Sequence, residues 1–271
     1  MGNILALEHV NVTVPDQSLA LLFYATGLGL TRDPYMEWGT FNVWVNAGRE
    51  QFHMPTAAPQ VVRGRVGLVL PNLTSLERRL QRLRKPLAGT AFDFKVRKQW
   101  IDVTCPWGNQ IRCHAPGNWG DMQLGMPYVE FNVPEASSGG IAAFYREVMG
   151  SDADTLKGRA EVRIGQFQKL IFRETGAPQP AYDGHHIAIY VASFSSPHSF
   201  LKARGLITEE SDENQYRFQH IIDPGNGNTL FEIEHEVRSL YHPMWQRNLV
   251  NRNPEQTFFN YTRDRDPFIP A

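Results

Sequence analysis

The sequence has little cysteine, no excess of either charge and no long apolar run. Its two cysteines, Cys105 and Cys113, can form neither a disulfide framework nor a CxxC pair. With 27 basic and 28 acidic side chains, the net charge is close to zero, which argues against electrostatic binding of nucleic acid or anionic lipid. No apolar run reaches bilayer length, and residues 1–6 lack the pattern of a signal peptide. We therefore expect a cytoplasmic protein that binds neither nucleic acid nor membrane.

The chain contains an internal repeat. Residues 11–16 (NVTVPD) resemble residues 130–135 (EFNVPE), and residues 56–60 (TAAPQ) resemble residues 175–179 (TGAPQ). Both matches have the same offset of 119 residues, which chance similarity rarely maintains over such a span. The sequence therefore predicts a first half over residues 1–116, a linker over 117–126 and a second half over 127–236. Residues 237–271 form a tail rich in aromatic residues, which we expect to wrap over the body.

Each half divides again into two similar units. Residues 65–70 and 186–191 each read as a buried strand that opens a new unit. A helix follows in each case, and Leu73, Leu76, Leu80 and Leu83 share one face of the first of these helices. Three strand-like runs separated by turn signals come next. The predicted fold class is α+β, with four βαβββ modules forming two open, cavity-bearing mixed sheets with flanking helices.

Strand alternation places polar side chains on one face of several strands. In the first strand His9 and Asn11 oppose the valines, and in the fourth unit His186 and Tyr190 oppose Ile187 and Ile189. In the last strand Glu232 and Glu234 oppose the apolar residues Phe231 and Ile233. Because the apolar faces belong in the core, we expect the polar faces to look into a cavity.

These features together resemble the vicinal oxygen chelate superfamily, which includes glyoxalases, bleomycin-resistance proteins and extradiol dioxygenases. The resemblance rests on the first-strand histidines, on Phe23-Tyr24 and Phe144-Tyr145 in the helices, and on the turn at residues 223–226 (DPGN) before the closing strand. It is greatest for the ring-cleaving dioxygenase branch, in which unit one pairs with unit four and unit two with unit three. The segments HHIA at 185–188 and LFEI at 230–233 are similar to that branch.

The resemblance implies a metal site. Carried over by position, the ligands are His9, His186 and Glu232, with Glu234 as the alternative carboxylate. Two imidazoles and one carboxylate form the facial triad typical of non-haem Fe(II) oxygenases. The expected cofactor is thus a divalent metal, with Fe(II) ahead of Mn, Zn and Ni.

Other polar residues have both a structural and a functional interpretation. His53 is a fourth ligand, a base near the metal or an exposed strand end. His220, Tyr190 and Tyr216 are candidates for proton transfer or substrate orientation, although a structural role is commoner for such residues. Arg65 and Arg112, in unit two, form either an anion pocket or structural ion pairs. No phosphate-binding loop motif occurs.

Three functions remain open at this point. The first is an extradiol dioxygenase-like enzyme, an oxidoreductase acting on a small oxygenated aromatic. The second is a glyoxalase-type lyase or isomerase, for which His53 would supply a fourth ligand. The third is a binding protein that sequesters a small molecule without a metal. The expected partner is a small-molecule substrate, and the sequence leaves open whether the chain forms a homodimer.

Overall fold

The computed structural model describes residues 2–36 and 41–251, and within them a strand, a helix and three strands follow one another four times. The tail residues Phe258, Phe259 and Tyr261 lie outside this part. Repeat one consists of β1 (Ile4–Asn11), α1 (Gln17–Leu21) continuing into a π-helical segment (Leu22–Gly27), β2 (Thr31–Arg32), β3 (Asn42–Ala47) and β4 (Glu50–Pro55). Repeat two consists of β5 (Gly64–Val69), α2 (Leu73–Leu83), β6 (Asp93–Val96), β7 (Trp100–Thr104) and β8 (Gln110–His114).

The second half has the same order of elements. Repeat three consists of β9 (Tyr128–Val133), α3 (Ser138–Glu147), β10 (Ala153–Leu156), β11 (Arg159–Arg163) and β12 (Lys169–Glu174). Repeat four consists of β13 (His186–Val191), α4 (Ser195–Lys202), β14 (Ile207–Asp212), β15 (Gln215–Ile222) and β16 (Thr229–Arg238). Among the described residues, no helix has both the length and the apolar character that a membrane span requires.

The strands belong to two mixed sheets of eight strands each, which confirms the predicted fold class. The strands of repeats one and four share one sheet, and those of repeats two and three share the other. This is the pairing of repeats that the dioxygenase-like resemblance implied. The described chain also divides into two compact units, which differ from the four repeats. The first compact unit contains residues 2–11 and Tyr128–Arg247, and the second contains Val12–Pro127 and residues 248–251. The first strand therefore groups with the second half of the sequence.

In the first unit, β1 lies antiparallel to β13, and β13 lies parallel to β16. The β1–β13 register shifts between Leu7 and His9, which marks a bulge at Glu8. β15 then pairs antiparallel with β16 along most of its length. One face of these strands is apolar. It carries fully buried aromatic residues such as Phe218, whose ring centroid lies 5.8 Å from that of Phe144 on α3. Helix α3 therefore covers the apolar face of these strands, and the polar side chains lie on their other face.

The second unit contains the best-formed amphipathic helix. Asn72 caps α2, because its side chain accepts a hydrogen bond of 2.9 Å from the backbone N–H of Ser75. Leu76, Leu80 and Leu83 are buried, as their helical spacing predicted. Beneath this helix β5, β8, β7 and β6 lie side by side in that order.

Candidate metal centre

The polar face of the first unit brings together two histidines from neighbouring strands. His9 on β1 and His186 on β13 are both buried, and their Nε2 atoms lie 3.4 Å apart. The two imidazole planes are inclined at 64°, so the rings meet edge to face. The β1–β13 register explains the approach, since His9 lies opposite Ala188 and Asn11 opposite His186 on the same side of the sheet.

Each histidine also has a carboxylate on the far side of its ring. The Nδ1 atom of His9 contacts the carboxylate of Glu8. Because Glu8 lies at the bulge, its side chain turns to the same side as that of His9, which normal strand alternation would prevent. The Nδ1 atom of His186 lies 3.5 Å from Oε1 of Glu234. Both Nδ1 atoms therefore face carboxylates, while the two Nε2 atoms converge.

The closing strand supplies three acidic residues on this face. In the parallel β13–β16 pair, His186 lies opposite Glu234, and Ala188 lies opposite Glu236. Oε2 of Glu236 is 3.6 Å from Nε2 of His186. Glu232 lies farther along the strand, opposite His220 on β15, and its carboxylate is 3.8 Å from Nδ1 of that histidine. The register thus places Glu234, the alternative carboxylate from the sequence, directly beside His186.

Two arginines occupy the same face. Arg217 on β15 donates to Glu234 at 2.8 Å and also binds Glu236. Arg238, at the end of β16, lies 3.1 Å from the carboxylate of Glu8 and is also paired with Glu236. For Glu234, burial raises the pKa and outweighs the opposing effect of Arg217. For Arg238, the nearby carboxylates of Glu8 and Glu236 raise the pKa despite burial, which keeps the guanidinium charged.

Several of these charged residues were not predicted from the sequence. The sequence predicted the last strand over residues 229–234, but β16 extends to Arg238, and Glu236 and Arg238 continue the alternation of Glu232 and Glu234. Had the alternation of apolar and polar residues been followed as far as residue 238, both Glu236 and Arg238 would have been predicted on the polar face. Glu8 could not have been found in this way, because only the bulge turns its side chain toward His9.

The other candidate residues divide between this face and the core. Tyr190 lies on the polar face opposite Arg238, and its hydroxyl is 3.5 Å from the guanidinium. Burial, followed by the charge of Glu8, raises the pKa of Tyr190 to about 12. The ring of Trp245 from the tail lies 4.7 Å from that of Tyr190. Tyr216 lies on the opposite, apolar face, packed against Phe194, so the structure does not bring it to the histidine pair.

His53 lies on β4 of repeat one, which belongs to the second of the two compact units. Its ring stacks on that of Trp44, with a centroid distance of 3.9 Å and an interplanar angle of 13°. Trp44 lies opposite His53 in the β3–β4 pair, so the stacking follows directly from the strand register. Its role as a ligand or base stays a prediction that rests on its last-strand position in repeat one.

Comparison with known proteins identifies the fold. No protein-family model matches the sequence, and no curated protein matches it significantly. Solved structures do match. A candidate dioxygenase from Bacillus subtilis subsp. subtilis str. 168 aligns with a TM-score of 0.56 and 14% identity, over 88% of this chain and 86% of that one.

Two further structures show the same similarity. Glyoxalase I from Zea mays aligns with a TM-score of 0.57 and 10% identity, over 88% of this chain and 92% of its own. The cppA protein from Streptococcus pneumoniae TIGR4 aligns with a TM-score of 0.50 and 10% identity, over 88% and 98%. Together with the fourfold order of elements, these matches identify the fold of this chain as that of the vicinal oxygen chelate superfamily.

Proposed function

We propose that this protein is a metal-dependent enzyme of the extradiol dioxygenase type that acts on a small oxygenated aromatic. The observation that carries the proposal is the convergence of the Nε2 atoms of His9 and His186, 3.4 Å apart in a buried site. Two ligand atoms at right angles, each about 2.1 Å from one ion, would lie about 3 Å apart. The two imidazoles therefore need only a small adjustment to bind one ion.

The surroundings of the two rings also suit a divalent ion. Histidines that bind metals usually direct their other ring nitrogen to a carboxylate, which fixes the tautomer and the ring orientation. Glu8 and Glu234 hold these positions at His9 and His186. The carboxylates of Glu8, Glu234 and Glu236 face the guanidinium groups of Arg217 and Arg238, so three negative charges meet two positive ones. A bound cation would offset this excess.

We propose Glu236 as the carboxylate ligand. It is the acidic residue on the Nε2 side of His186, at 3.6 Å, whereas Glu234 lies on the Nδ1 side. Its pairing with Arg217 and Arg238 would hold the carboxylate in place while one oxygen serves the ion. Glu232 and His53 stay candidates on sequence grounds. Two imidazoles and a carboxylate suit Fe(II), with Mn, Zn and Ni as alternatives.

Tyr190 and Arg238, which lie beside the proposed metal site, indicate how a substrate could be oriented there. A divalent ion there would act as a Lewis acid that polarises the oxygens of the substrate. Tyr190, with its pKa raised to about 12, stays protonated at neutral pH, so its hydroxyl can donate a hydrogen bond to a substrate oxygen while it accepts one from Arg238. Arg238 is anchored by Glu8 and by Gln215, whose Oε1 accepts from Nε at 3.0 Å, so its guanidinium is a fixed positive charge beside that phenol. Both groups are suited to orient a substrate oxygen.

The decisive experiment has two parts. Elemental analysis of untagged protein should find about one divalent transition ion per chain if the histidines bind it. The Fe(II)-loaded protein should then consume O₂ with at least one member of a panel of catechols and hydroquinones. A bound metal without O₂ consumption on the whole panel would reject the dioxygenase assignment and leave the metal site standing. Absence of metal after Fe(II), Mn(II), Zn(II) and Ni(II) loading would reject both.

A glyoxalase-type lyase or isomerase is the second candidate, and the similarity to the fold of maize glyoxalase I favours it. This function would require His53 as an additional ligand, so metal affinity should fall in His53→Ala. Turnover of a hemithioacetal without O₂ uptake would select this assignment. Inactivity on both substrate classes, with tight binding of a small molecule to metal-free protein, would instead select sequestration.

A further inference from the structure

The second unit contains a cavity of about 330 Å³ lined mainly by charged side chains of repeat two. We propose that it is a binding pocket for a small anion, a molecule that carries a carboxylate or phosphate group. The pocket shares no residue with the proposed metal centre, so this inference is independent of the proposed function. The charged residues that line it are Arg65, Lys95, Arg97, Arg112, Asp93 and Asp102.

The register of the strands explains why these side chains meet. Lys95 on β6 lies opposite Asp102 on β7, and Asp102 lies opposite Arg112 on β8. These residues therefore form one row across three strands, on one face of the sheet. The neighbouring residues Ile101 and Ile111 point to the buried face. The sheet thus presents a polar row above an apolar core.

Positive charge exceeds negative charge in this pocket. Four cationic side chains line it against two carboxylates. Asp102 is already engaged, because it accepts from Nε of Arg112 at 2.7 Å and from the indole N–H of Trp100 at 3.1 Å. Burial alone would raise the pKa of Asp102, but these hydrogen bonds and the charge of Arg112 together lower it, so the carboxylate stays ionised. Even without Arg65, the cations Lys95, Arg97 and Arg112 outnumber the two carboxylates, and this surplus of positive charge favours an anionic ligand.

Arg112 is held in position to receive such a ligand. Its guanidinium lies over the ring of Trp100, 4.6 Å from the centroid, and its Nε is fixed by Asp102. Stacking and the ion pair remove rotamer freedom before any ligand arrives, which lowers the entropic cost of binding. With Nε directed to Asp102, the terminal amino groups carry the donors that match the two oxygens of a carboxylate or phosphate. About a quarter of the side chain is exposed, at 27%.

The size and the polarity of the cavity limit the ligand. Its volume lies at the lower end of the range of about 300–1,000 Å³ for small-molecule sites. A lining made mainly of charged groups offers little apolar burial to a flat aromatic ring. The pocket therefore suits a compact, strongly charged molecule, such as a di- or tricarboxylate or a small phosphate compound.

Calorimetric titration of the full-length protein with succinate, citrate and inorganic phosphate tests the proposal. The wild type should bind at least one of these probes saturably, and the preferred probe distinguishes the carboxylate from the phosphate class. Arg112→Met should weaken binding by about tenfold or more, because charge-assisted hydrogen bonds are lost. Arg78→Met is the matched control and should bind as the wild type does, since Arg78 is exposed on α2 and bonds only to Ser75 among the contacts described.

Two further variants keep the test decisive if Arg112→Met folds poorly. Arg112→Lys keeps the charge but loses the planar pair of donors, so its affinity for the anion should lie between those of the wild type and Arg112→Met. Arg97→Met alters a half-exposed residue at the edge of the pocket and should weaken binding several-fold. Lack of saturable binding of all three probes at millimolar concentration would overturn the proposal. Equal binding by wild type, Arg112→Met and Arg112→Lys would overturn it as well.

Discussion

His9 and His186 face each other through their Nε2 atoms at 3.4 Å, and each has a carboxylate at its Nδ1 atom. Two neutral imidazoles in this orientation can share only one N–H between the two nitrogens. An ion between them would instead use both lone pairs. The proposed metal site therefore makes a separate prediction for each of these residues.

Replacing His186 should abolish tight metal binding. In His186→Ala one of the two converging Nε2 atoms is gone, and the remaining ligands hold a divalent ion poorly. Elemental analysis after metal loading and dialysis gives the measurement. His198→Ala is the control, because His198 lies on α4 and pairs with the exposed Glu210. Unchanged metal content in His186→Ala would contradict the assignment of this residue as a ligand.

Replacing Glu8 should weaken metal binding without removing a ligand. In Glu8→Gln the charged partner of His9 Nδ1 is lost, so the orientation and the tautomer of the imidazole are less well fixed. Loss of such a partner typically costs about 10- to 100-fold in metal affinity. Competition with a chromophoric chelator measures the affinity, and Glu210→Gln on the surface serves as the control. An affinity equal to that of the wild type would show that Glu8 does not position His9.

Removing the buried guanidinium of Arg238 should destabilise the fold. In Arg238→Met the carboxylates of Glu8 and Glu236 stay buried without this cation, which typically costs about 3–5 kcal/mol. Urea unfolding monitored by circular dichroism gives the free energy. Arg204→Met should change it by less than about 0.5 kcal/mol, because Arg204 is exposed and lies over Phe200. A loss no greater than that of the control would show that the ion network contributes little.

His235 should make the stability fall in mild acid. Burial lowers its pKa from 6.5 to about 4, although the hydrogen bond to Ile233 opposes the shift. Its Nδ1 donates to that carbonyl at 2.9 Å and its Nε2 accepts from the hydroxyl of Tyr145 at 2.6 Å, which requires the neutral ring. The unfolded chain therefore binds more protons between pH 6.5 and 4, and stability present above this window is lost as the pH falls through it.

The size of this effect follows from the shift. A change of this size corresponds to about 3 kcal/mol over the whole window. His235→Gln keeps a polar side chain but cannot titrate, so its free energy of unfolding should depend less on pH between 6.5 and 4. Parallel urea titrations of both proteins at several pH values make the comparison. The same pH dependence in the variant and the wild type would assign the acid sensitivity to other groups.

The sequence alone determined the fold and the strands that carry the site. An offset of 119 residues and the alternation of apolar and polar side chains are local properties of the chain, readable without coordinates. They predicted the four repeats and the two sheets that the structure contains. They also placed His9 and His186 on polar faces of opening strands, and the structure brings these two residues together.

Only the tertiary structure decided which carboxylates surround them. The choice among Glu232, Glu234 and Glu236 depends on the alignment of β16 with β13, and a shift of two residues exchanges one acidic side chain for the next on the same face. Hydrogen bonding between β16 and β13 fixes that alignment. The bulge that turns Glu8 toward His9 likewise arises from pairing with β13, a strand about 180 residues away along the chain. Such long-range pairing leaves no local pattern in the sequence, because it depends on strands that meet only after folding.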